Sequence, residues 1–233
     1  SRSVLPPGVH SVRLHAEPIQ SDTASRGTFL AMRLLTGADG VTGSLGERLA
    51  ALGYSEDQCR LMASLAGSRG LTLLAGPTGH GKSTTLRHVM ESMVIYRPDQ
   101  SYLSVEDPPE YPMAGVRQIQ VPTSGGDRAS AYADAIAGAM RCDPDVIMIG
   151  EIRWPAAAAA ALDAALTGHA VWTTVHAADA FAIARRLTGM LTSAGVPDPR
   201  ETLFGQGVCA GLICQRLMSL NCPRCSLPLS SLT

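Results

Sequence analysis

Short, mainly apolar runs alternate with segments of helical periodicity through residues 45–217. Unbroken apolar runs are typical of buried strands, whereas apolar positions three or four residues apart are typical of helices. Alternation of the two favours an α/β domain built on a largely parallel sheet that helices cover on both faces. The pattern predicts strands at 71–75, 102–106, 119–121, 145–150 and 170–175, a turn at 124–126, and helices at 45–68 (broken at Gly53), 86–95, 129–140, from Pro155 onward, 178–192 and 201–217.

Two further strand-like runs, 12–16 and 28–35, lie near the N-terminus with a polar loop between them. They predict one hairpin, which is too small to be stable as an independent domain. We interpret residues 1–36 as the last piece of an N-terminal α+β domain whose remainder is absent, in a processed or excised chain without an initiator methionine. Residues 37–46, rich in Gly, Thr and Ser, predict a linker, and residues 47–233 the layered domain.

Composition and charge fit a soluble globular protein, since 45% of the residues are hydrophobic and 17% are charged. The formal net charge is -1 and basic residues form no block, so nothing electrostatic favours a nucleic-acid or anionic-membrane surface. No apolar run reaches membrane-spanning length, and the N-terminus lacks the apolar core of a secretory signal. Six cysteines without a disulfide framework favour a reducing cytoplasm.

Residues 76–83 carry the strongest chemical signal, because they spell the G-x-x-x-x-G-K-S pattern of a phosphate-binding loop. Its glycines let backbone N–H groups point at phosphate oxygens, Lys82 adds positive charge at the β- and γ-phosphates, and the Ser83 hydroxyl is a ligand for Mg²⁺. A predicted strand before the loop and a helix after it disfavour the alternative of a chance glycine-rich turn. The pattern therefore predicts a site for a nucleotide and Mg²⁺ formed by Gly76, Pro77, Thr78, Gly79, His80, Gly81, Lys82, Ser83 and Thr84.

Carboxylates follow two of the predicted strands. Glu106 and Asp107 end one of them, with Glu110 just beyond, and Glu151 follows another. A phosphate loop needs an acid that organises magnesium and a group that activates water. Because the carboxyl ends of parallel strands line one crevice, we expect Glu106 and Glu151 to converge on the phosphate loop. The alternative for either acid is a solvated loop charge.

Histidines stand at both ends of the strand predicted at 170–175. His176 follows it, on the edge expected to carry the phosphate loop, whereas His169 precedes it at the opposite edge. We therefore favour His176 as a residue beside the nucleotide and leave His169 open between a structural and a functional role. His80 occupies a variable position of the loop, where we expect it to be exposed, and structural or surface roles are expected for His10, His15 and His88.

Four motifs in this order resemble the secretion ATPases of type II and type IV systems, including pilus extension and retraction motors and conjugative or type IVB transfer ATPases. The resemblance covers essentially the whole chain, and the set is far more specific than any one motif. The C-terminal residues 215–217 and 222–225 are also similar to the end of that family. The four motifs are the phosphate loop at 76–85, an acidic box at 105–111, a second acidic motif at 140–153 and a histidine box at 167–177.

The resemblance implies a RecA-like P-loop ATPase domain and a role for each candidate. Glu151 would polarise the attacking water, Glu106 would help to hold magnesium and its water shell, and His176 would sense the γ-phosphate. In the family, arginines of the N-terminal domain reach the nucleotide, often across a subunit boundary, where they neutralise charge on the transferred phosphoryl group. Arg13 and Arg33 occupy the matching places in the predicted hairpin, with Arg26 a weaker candidate.

The sequence departs from the family at two places. Trp154 and Pro155 follow Arg153 where the family commonly has an acid, which puts local contacts in doubt. Cys222 and Cys225 are similar to half of the four-cysteine zinc site of the extension and type II branch. Two cysteines complete only half of a structural zinc site, so we favour a free dithiol or a truncated site over bound zinc.

The resemblance further implies a homohexameric, Mg²⁺-dependent motor, coupled to pilus assembly, pilus retraction, secretion or conjugative transfer. It would be cytoplasmic and peripheral on the inner membrane of a bacterium. There it would bind an inner-membrane platform or secretion-channel protein, with the linker as hinge and without direct nucleic-acid contact. Two alternatives stay open: a nucleotide-gated scaffold that barely hydrolyses ATP, and a nucleic-acid-translocating ATPase.

Overall fold

The N-terminal residues form the predicted hairpin. The computed structural model describes residues 9–20, 26–36, 43–122 and 127–219. Strand β1 (Val9–Gln20) pairs antiparallel with β2 (Arg26–Thr36), and the two strands form a sheet of their own. The predicted turn at 124–126 lies outside the described residues.

The rest of the described chain is built on one parallel sheet, as its unbroken apolar runs predict. Every hydrogen-bonded pair of neighbouring strands in this sheet is parallel. The loops that follow these strands therefore share one edge of the sheet, where ligands bind in open α/β folds. The strands are β3 (Gly70–Ala75), β4 (Tyr102–Glu106), β5 (Val116–Gln120), β6 (Val146–Ile149), β7 (Ala170–Val175) and β8 (Cys209–Cys214), in the spatial order β5-β4-β6-β7-β3-β8.

The helices begin where the sequence offers caps. Ser44 and Glu47 exchange side-chain and backbone hydrogen bonds in a capping box, and Ser55 does the same with Gln58. Pro155 takes the first position of the alanine-rich helix, where its missing N–H costs nothing. The helices are α1 (Leu45–Ala51), α2 (Glu56–Ala66), α3 (Lys82–Tyr96), α4 (Arg128–Met140), α5 (Pro155–Leu166) and α6 (Ala180–Ser193).

Two apolar cores lie on opposite faces of the sheet. Successive strand residues point to opposite faces, so Leu73 packs in the core that contains Ile136, Leu162 and Leu187, on the side of α4, α5 and α6. Leu74 packs on the other side, in the core built with α1, α2 and α3. Because both faces of β3 are buried, its sequence does not alternate between apolar and polar residues. Among the described residues, no helix combines the length and apolar character needed to cross a membrane.

Two boundaries differ from the predictions. The helix predicted at 201–217 is wrong, because this segment holds one π-helical turn at Glu201–Gly205 and then strand β8. Strand β8 satisfies the backbone groups of β3 along the edge that β7 leaves free, a tertiary pairing that local periodicity does not reveal. Helix α1 begins at Leu45, as the helix predicted at 45–68 does, so it takes up the last two residues of the range 37–46 that predicts a linker.

Helix α3 buries two polar side chains without partners. His88 and Ser92 lie one turn apart and are each 1% exposed. Both ring nitrogens of His88 and the Ser92 hydroxyl lack a hydrogen-bond partner among the described residues. Burial lowers the pKa of His88; Glu91 acts in the opposite direction, while Arg48 and Arg87 lower the pKa further. The folded protein therefore disfavours the charged form of His88.

We expect His88 to destabilise the fold as the pH falls. Above its ordinary pKa of 6.5 the residue is neutral in both states, whereas below that value the unfolded chain takes up the proton more readily than the folded one. As the pH falls from 7.5 to 5.5, the unfolding free energy of the His88→Leu variant should therefore decrease less than that of the parent, with a difference of up to about 1 kcal/mol. Urea unfolding at the two pH values measures this. In Ser92→Ala the unfolding free energy should depend on pH as in the parent. If His88→Leu also keeps the parental dependence, His88 is not the group that destabilises the fold at low pH.

Candidate active site

The loop between β3 and α3 leaves the N-terminus of α3 open to a ligand. Gly81 occupies the N-cap position with a left-handed φ of 77°, and no side chain caps the helix. Gly79 also has a left-handed φ, of 79°, which a larger residue would adopt only with strain. The first N–H groups of α3 are thereby free to bind an anion, as the predicted phosphate loop requires.

Lys82 lies inside this loop and is 8% exposed. Its ammonium donates to the carbonyl oxygens of Gly76 and Pro77, over 2.8 and 2.9 Å. Burial lowers the pKa of Lys82, and the nearby Glu151 carboxylate acts in the opposite direction. The side chain is thus held over the loop by neutral acceptors, which the negatively charged oxygens of a phosphate would outcompete.

A cavity of about 390 Å³ joins the phosphate loop to the ends of β4, β6 and β7. It brings Glu106, Glu151 and His176 together, as the position of each at a strand end predicts. His169 instead lines a second cavity at the opposite edge of the sheet. Six of the nine predicted loop residues line the first cavity, namely Thr78, Gly79, Gly81, Lys82, Ser83 and Thr84.

His80 turns away from this cavity, and it is not freely exposed as expected. Its ring Nδ1 accepts a hydrogen bond from the backbone N–H of Leu217 over 3.0 Å, so that nitrogen carries no proton. Its backbone carbonyl accepts from the Gln215 side chain over 2.8 Å. The His80 side chain thus contacts the segment after β8, and its contact with nucleotide stays a prediction. Gly76 and Pro77 contribute through their carbonyl groups, which hold Lys82.

Glu151 is bound on both oxygens of its carboxylate. Arg153 donates from Nε and Nη2 to Oε2, over 2.9 and 2.7 Å. His176 Nε2 lies 2.9 Å from Oε1. Contact with the Glu151 carboxylate raises the pKa of Arg153, so the arginine stays charged. Glu151, Arg153 and His176 thus form a connected polar group on the cavity wall, which would orient a carboxylate for work on a water molecule.

Glu106 receives two hydrogen bonds on a single oxygen. Ser104 Oγ and Gln118 Nε2 donate to Oε1 over 2.7 and 3.0 Å. Oε1 is therefore engaged, which leaves Oε2 as the atom that would contact Mg²⁺ or one of its waters. Together with the Ser83 hydroxyl, it would supply the hard oxygen ligands that Mg²⁺ prefers. No cluster of three or more His, Cys, Asp or Glu side chains in the described ranges is arranged to hold a metal by itself.

Tyr132 is a site residue that the sequence did not predict. It is 3% exposed, and its hydroxyl lies 3.4 Å both from the Val105 carbonyl oxygen and from the Glu151 backbone nitrogen. Burial raises its pKa to about 12, so at neutral pH it donates to the carbonyl and accepts from the N–H. The ring packs 5.6 Å from that of Trp154, the residue that departs from the family pattern. Tyr132 thereby fixes the backbone on which Glu151 stands.

Two arginines contact side chains that line the acidic side of the cavity. Arg128 forms an ion pair with Asp107, whose side chain lines the cavity. Arg87 pairs with Glu91 over 2.8 Å, and its guanidinium lies 5.2 Å from the centre of the Tyr111 ring. Asp107 thus has a cationic partner, whereas Glu106 stays the predicted ligand for magnesium.

The other predicted residues are placed only in part. The backbones of Arg13 and Arg33 face each other across the hairpin, and Arg26 begins β2, but their side chains lie outside the described parts. Cys222 and Cys225 also lie outside the described residues.

Comparison with known proteins identifies the family. Residues 12–231 match the family model for "Type II/IV secretion system protein". The chain is 40% identical over 156 residues to a putative type II secretion system protein E of Escherichia coli K12, covering 67% of this chain and 29% of that protein. It is 38% identical over 158 residues to the type IV pilus assembly ATPase PilB of Thermus thermophilus, covering 68% and 16% of the two chains. The chain therefore spans less than a third of either relative.

Two solved structures share the fold. The pilus retraction motor PilT with bound ADP superposes with a TM-score of 0.64 at 28% identity, over 88% of this chain and 59% of that one. The ATPase DotB of Legionella pneumophila does so with a TM-score of 0.61 at 25% identity, over 84% and 50%. These matches confirm the predicted RecA-like fold. With the family match across nearly its whole length, the chain belongs to the type II/IV secretion system protein family.

Proposed function

We propose that this chain is the ATP-hydrolysing part of a motor subunit that powers pilus assembly, pilus retraction or type II/IV secretion, including conjugative transfer. The observation that carries the proposal is the cavity in which the open helix N-terminus and Lys82 face Glu151 and His176. The side with the helix N-terminus and Lys82 offers hydrogen-bond donors for phosphate oxygens. The side with Glu151 and His176 offers a carboxylate that could activate a water molecule. Phosphate binding without hydrolysis would not require the second side.

The residues of the phosphate loop would bind the substrate. The free N–H groups at the start of α3 would receive phosphate oxygens, and Lys82 would exchange its carbonyl acceptors for them. Ser83 and Glu106 would hold Mg²⁺, which, when bound, neutralises charge on the phosphates. Ser104 and Gln118 would keep Glu106 oriented for this task.

Glu151 would act on the water. One carboxylate oxygen would accept a hydrogen bond from the attacking water and take up its proton as the bond from water to the γ-phosphorus forms and the bond from that phosphorus to the bridging oxygen breaks, with ADP as the leaving group. For that, Arg153 or His176 must release an oxygen that it contacts in this structure. A γ-phosphate at the loop offers Arg153 and His176 a stronger anionic partner, so nucleotide binding would itself free the base.

The hairpin would complete the site from a neighbouring subunit. We propose that Arg13 and Arg33 supply positive charge in trans, within a homohexamer, which makes hydrolysis depend on assembly. Loss of the γ-phosphate would then move the N-terminal domain against the ATPase domain about the linker predicted at 37–46. The assembly would work at the cytoplasmic face of a bacterial inner membrane on a membrane platform or channel protein.

One observation favours a second candidate, a nucleotide-gated scaffold. Both oxygens of Glu151 are already bound by cationic or potentially cationic partners, and a carboxylate held in this way is a poor base. If nucleotide does not dissociate these contacts, the chain would bind ATP and assemble but turn it over only slowly.

Hydrolysis measured against protein concentration distinguishes the two. We expect the Mg²⁺-dependent rate per subunit to rise with protein concentration, because neighbouring subunits contribute charge to each site, and to vanish when EDTA removes Mg²⁺. A low rate that concentration and EDTA leave unchanged would contradict the motor. The same assay on a chain extended at its N-terminus separates a scaffold, which stays slow, from a motor that needs further residues to assemble.

A further inference from the structure

The segment that follows β8 passes directly behind the phosphate loop. Gln215 extends the pairing of β8 with β3 by one residue, since its N–H donates to the Ala75 carbonyl over 2.7 Å. The approach is so close that a Cβ atom on Gly76 would lie 2.1 Å from the Gln215 carbonyl oxygen. A Cβ atom on Gly81 would lie 2.9 Å from the Gln215 amide nitrogen. The outer side of the loop is therefore shaped around this one residue.

The side chain of Gln215 has two partners that fix its orientation. Its Nε2 donates to the His80 carbonyl over 2.8 Å, and its Oε1 accepts from the Tyr54 hydroxyl over 2.7 Å. The His80 carbonyl can only accept, so the amide nitrogen must face it. The Tyr54 hydroxyl donates its single hydrogen to Gln215. It therefore accepts a hydrogen bond from the Thr85 hydroxyl, 3.0 Å away. The result is a directed series of hydrogen bonds from Thr85 through Tyr54 and Gln215 to His80.

This series links the two ends of the segment that binds phosphate. His80 precedes and Thr85 follows residues 81–84, which contain the helix start and Lys82. Both ends are tied to the same pair of side chains, which come from distant parts of the sequence. Burial raises the pKa of Tyr54, so its hydroxyl stays a donor at neutral pH. Neither Tyr54 nor Gln215 lines the cavity, so any effect on a ligand passes through the loop.

We propose that Gln215 and Tyr54 are positioning residues that hold the phosphate loop in its ligand-binding shape and thereby set the affinity for nucleoside di- and triphosphates. The proposal rests on the proposed function in one respect, namely that nucleotide binds at this loop. Without the pair, the loop would sample other backbone conformations, and binding would carry the free-energy cost of restoring the competent one.

The test is a double-mutant cycle read by nucleotide affinity. Calorimetric titration with Mg·ADP would compare the parent, Tyr54→Phe, Gln215→Leu and the double variant, with thermal unfolding measured on each. We expect the dissociation constant to rise about five- to tenfold in each single variant, since each leaves polar partners of the series unpaired. The double variant should be scarcely weaker than Gln215→Leu alone, because both changes break one shared series. Gln206→Leu, at an exposed glutamine, is the matched control and should bind as the parent does.

Each outcome has a distinct meaning. If the unfolding temperature falls but Mg·ADP affinity stays parental at a temperature where all variants are folded, the pair is only structural and the proposal is overturned. If the losses of binding free energy in the two single variants add up in the double variant, the two residues are not coupled, and the proposal is likewise overturned. Tyr54→Phe removes a single oxygen, so it keeps the test valid if Gln215→Leu unfolds. If the parent binds Mg·ADP and the cycle shows coupling but no hydrolysis is found, the positioning role stands while the motor function fails.

In the hydrolysis assay, we expect the same variants to raise KM more than they lower kcat. The series acts on binding through the loop and does not touch Glu151, so the chemical step on bound ATP should be largely kept. If the variants instead lower kcat and leave KM at the parental value, the result would contradict a role in positioning the loop.

Discussion

Replacing Lys82 with methionine should weaken Mg·ATP binding at least about 100-fold, because the ammonium is the charged donor inside the phosphate loop. Methionine has a similar length and suits a position that is 8% exposed, so the fold should survive the change. Lys82→Arg should not restore binding, since a planar guanidinium does not fit between the Gly76 and Pro77 carbonyls that the ammonium bridges. Arg186→Met removes the same charge from an exposed position of α6 and should bind as the parent does.

The sequence allows a second, independent readout of this prediction. Lys82 is the only lysine among the 233 residues, so an amine-directed reagent such as trinitrobenzenesulfonate has one side-chain target. The lowered pKa of Lys82 increases the neutral, reactive fraction of the amine near neutral pH. Mg·ATP should protect Lys82, while the N-terminal amine, resolved by peptide mass spectrometry, should react as before. Equal labelling of Lys82 with and without saturating Mg·ATP would contradict its contact with phosphate.

Residues close together in the chain made most of the site predictable. The phosphate loop depends on glycines, a lysine and a hydroxyl within eight positions, and the apolar run before it already implied a buried parallel strand. The parallel sheet then brought Glu106, Glu151 and His176 to one cavity, because equivalent ends of parallel strands must lie along one edge. Local pattern and one topological rule sufficed for these residues.

Features that depend on long-range packing were not predictable. Strand β8 forms because β3 offers a free edge, and Gly211 fits there because a Cβ atom would lie 2.9 Å from Leu65. No local periodicity reports either fact, so the segment was expected to be helical. Tyr132 was missed for a related reason. One buried tyrosine on a helix is an ordinary core residue until the fold places its hydroxyl under the backbone of Glu151.

Hydrogen bonds of polar side chains were the least accessible to sequence reasoning. Gln215 reaches His80 across 135 positions of the chain and Tyr54 across 161, so no spacing within a motif could reveal the contacts. His80 was expected to be exposed because its position in the loop pattern is variable. In the structure its ring accepts a hydrogen bond from the backbone N–H of Leu217, and the residue does not line the cavity.

Replacing Glu151 with glutamine should lower the ATP hydrolysis rate at least about 100-fold while leaving Mg·ATP binding intact or tighter. Glutamine keeps the shape of the side chain but cannot accept the proton of the attacking water. Removing the negative charge also eliminates repulsion of the γ-phosphate across the cavity that Glu151 shares with Lys82. Glu56→Gln makes the same chemical change at an exposed site on α2 and serves as the control. Single-turnover hydrolysis at saturating ATP, together with titration of binding, separates the two effects.

The result also decides what the contacts of Glu151 mean. In a motor, Arg153 and His176 hold the carboxylate until nucleotide arrives, so Glu151→Gln should abolish a hydrolysis rate that is substantial in the parent. In a scaffold, the same contacts keep Glu151 from acting as a base at any stage, and the parent and Glu151→Gln should share one low rate. Binding lost together with hydrolysis would contradict both, because Glu151 would then be holding the nucleotide and not the water.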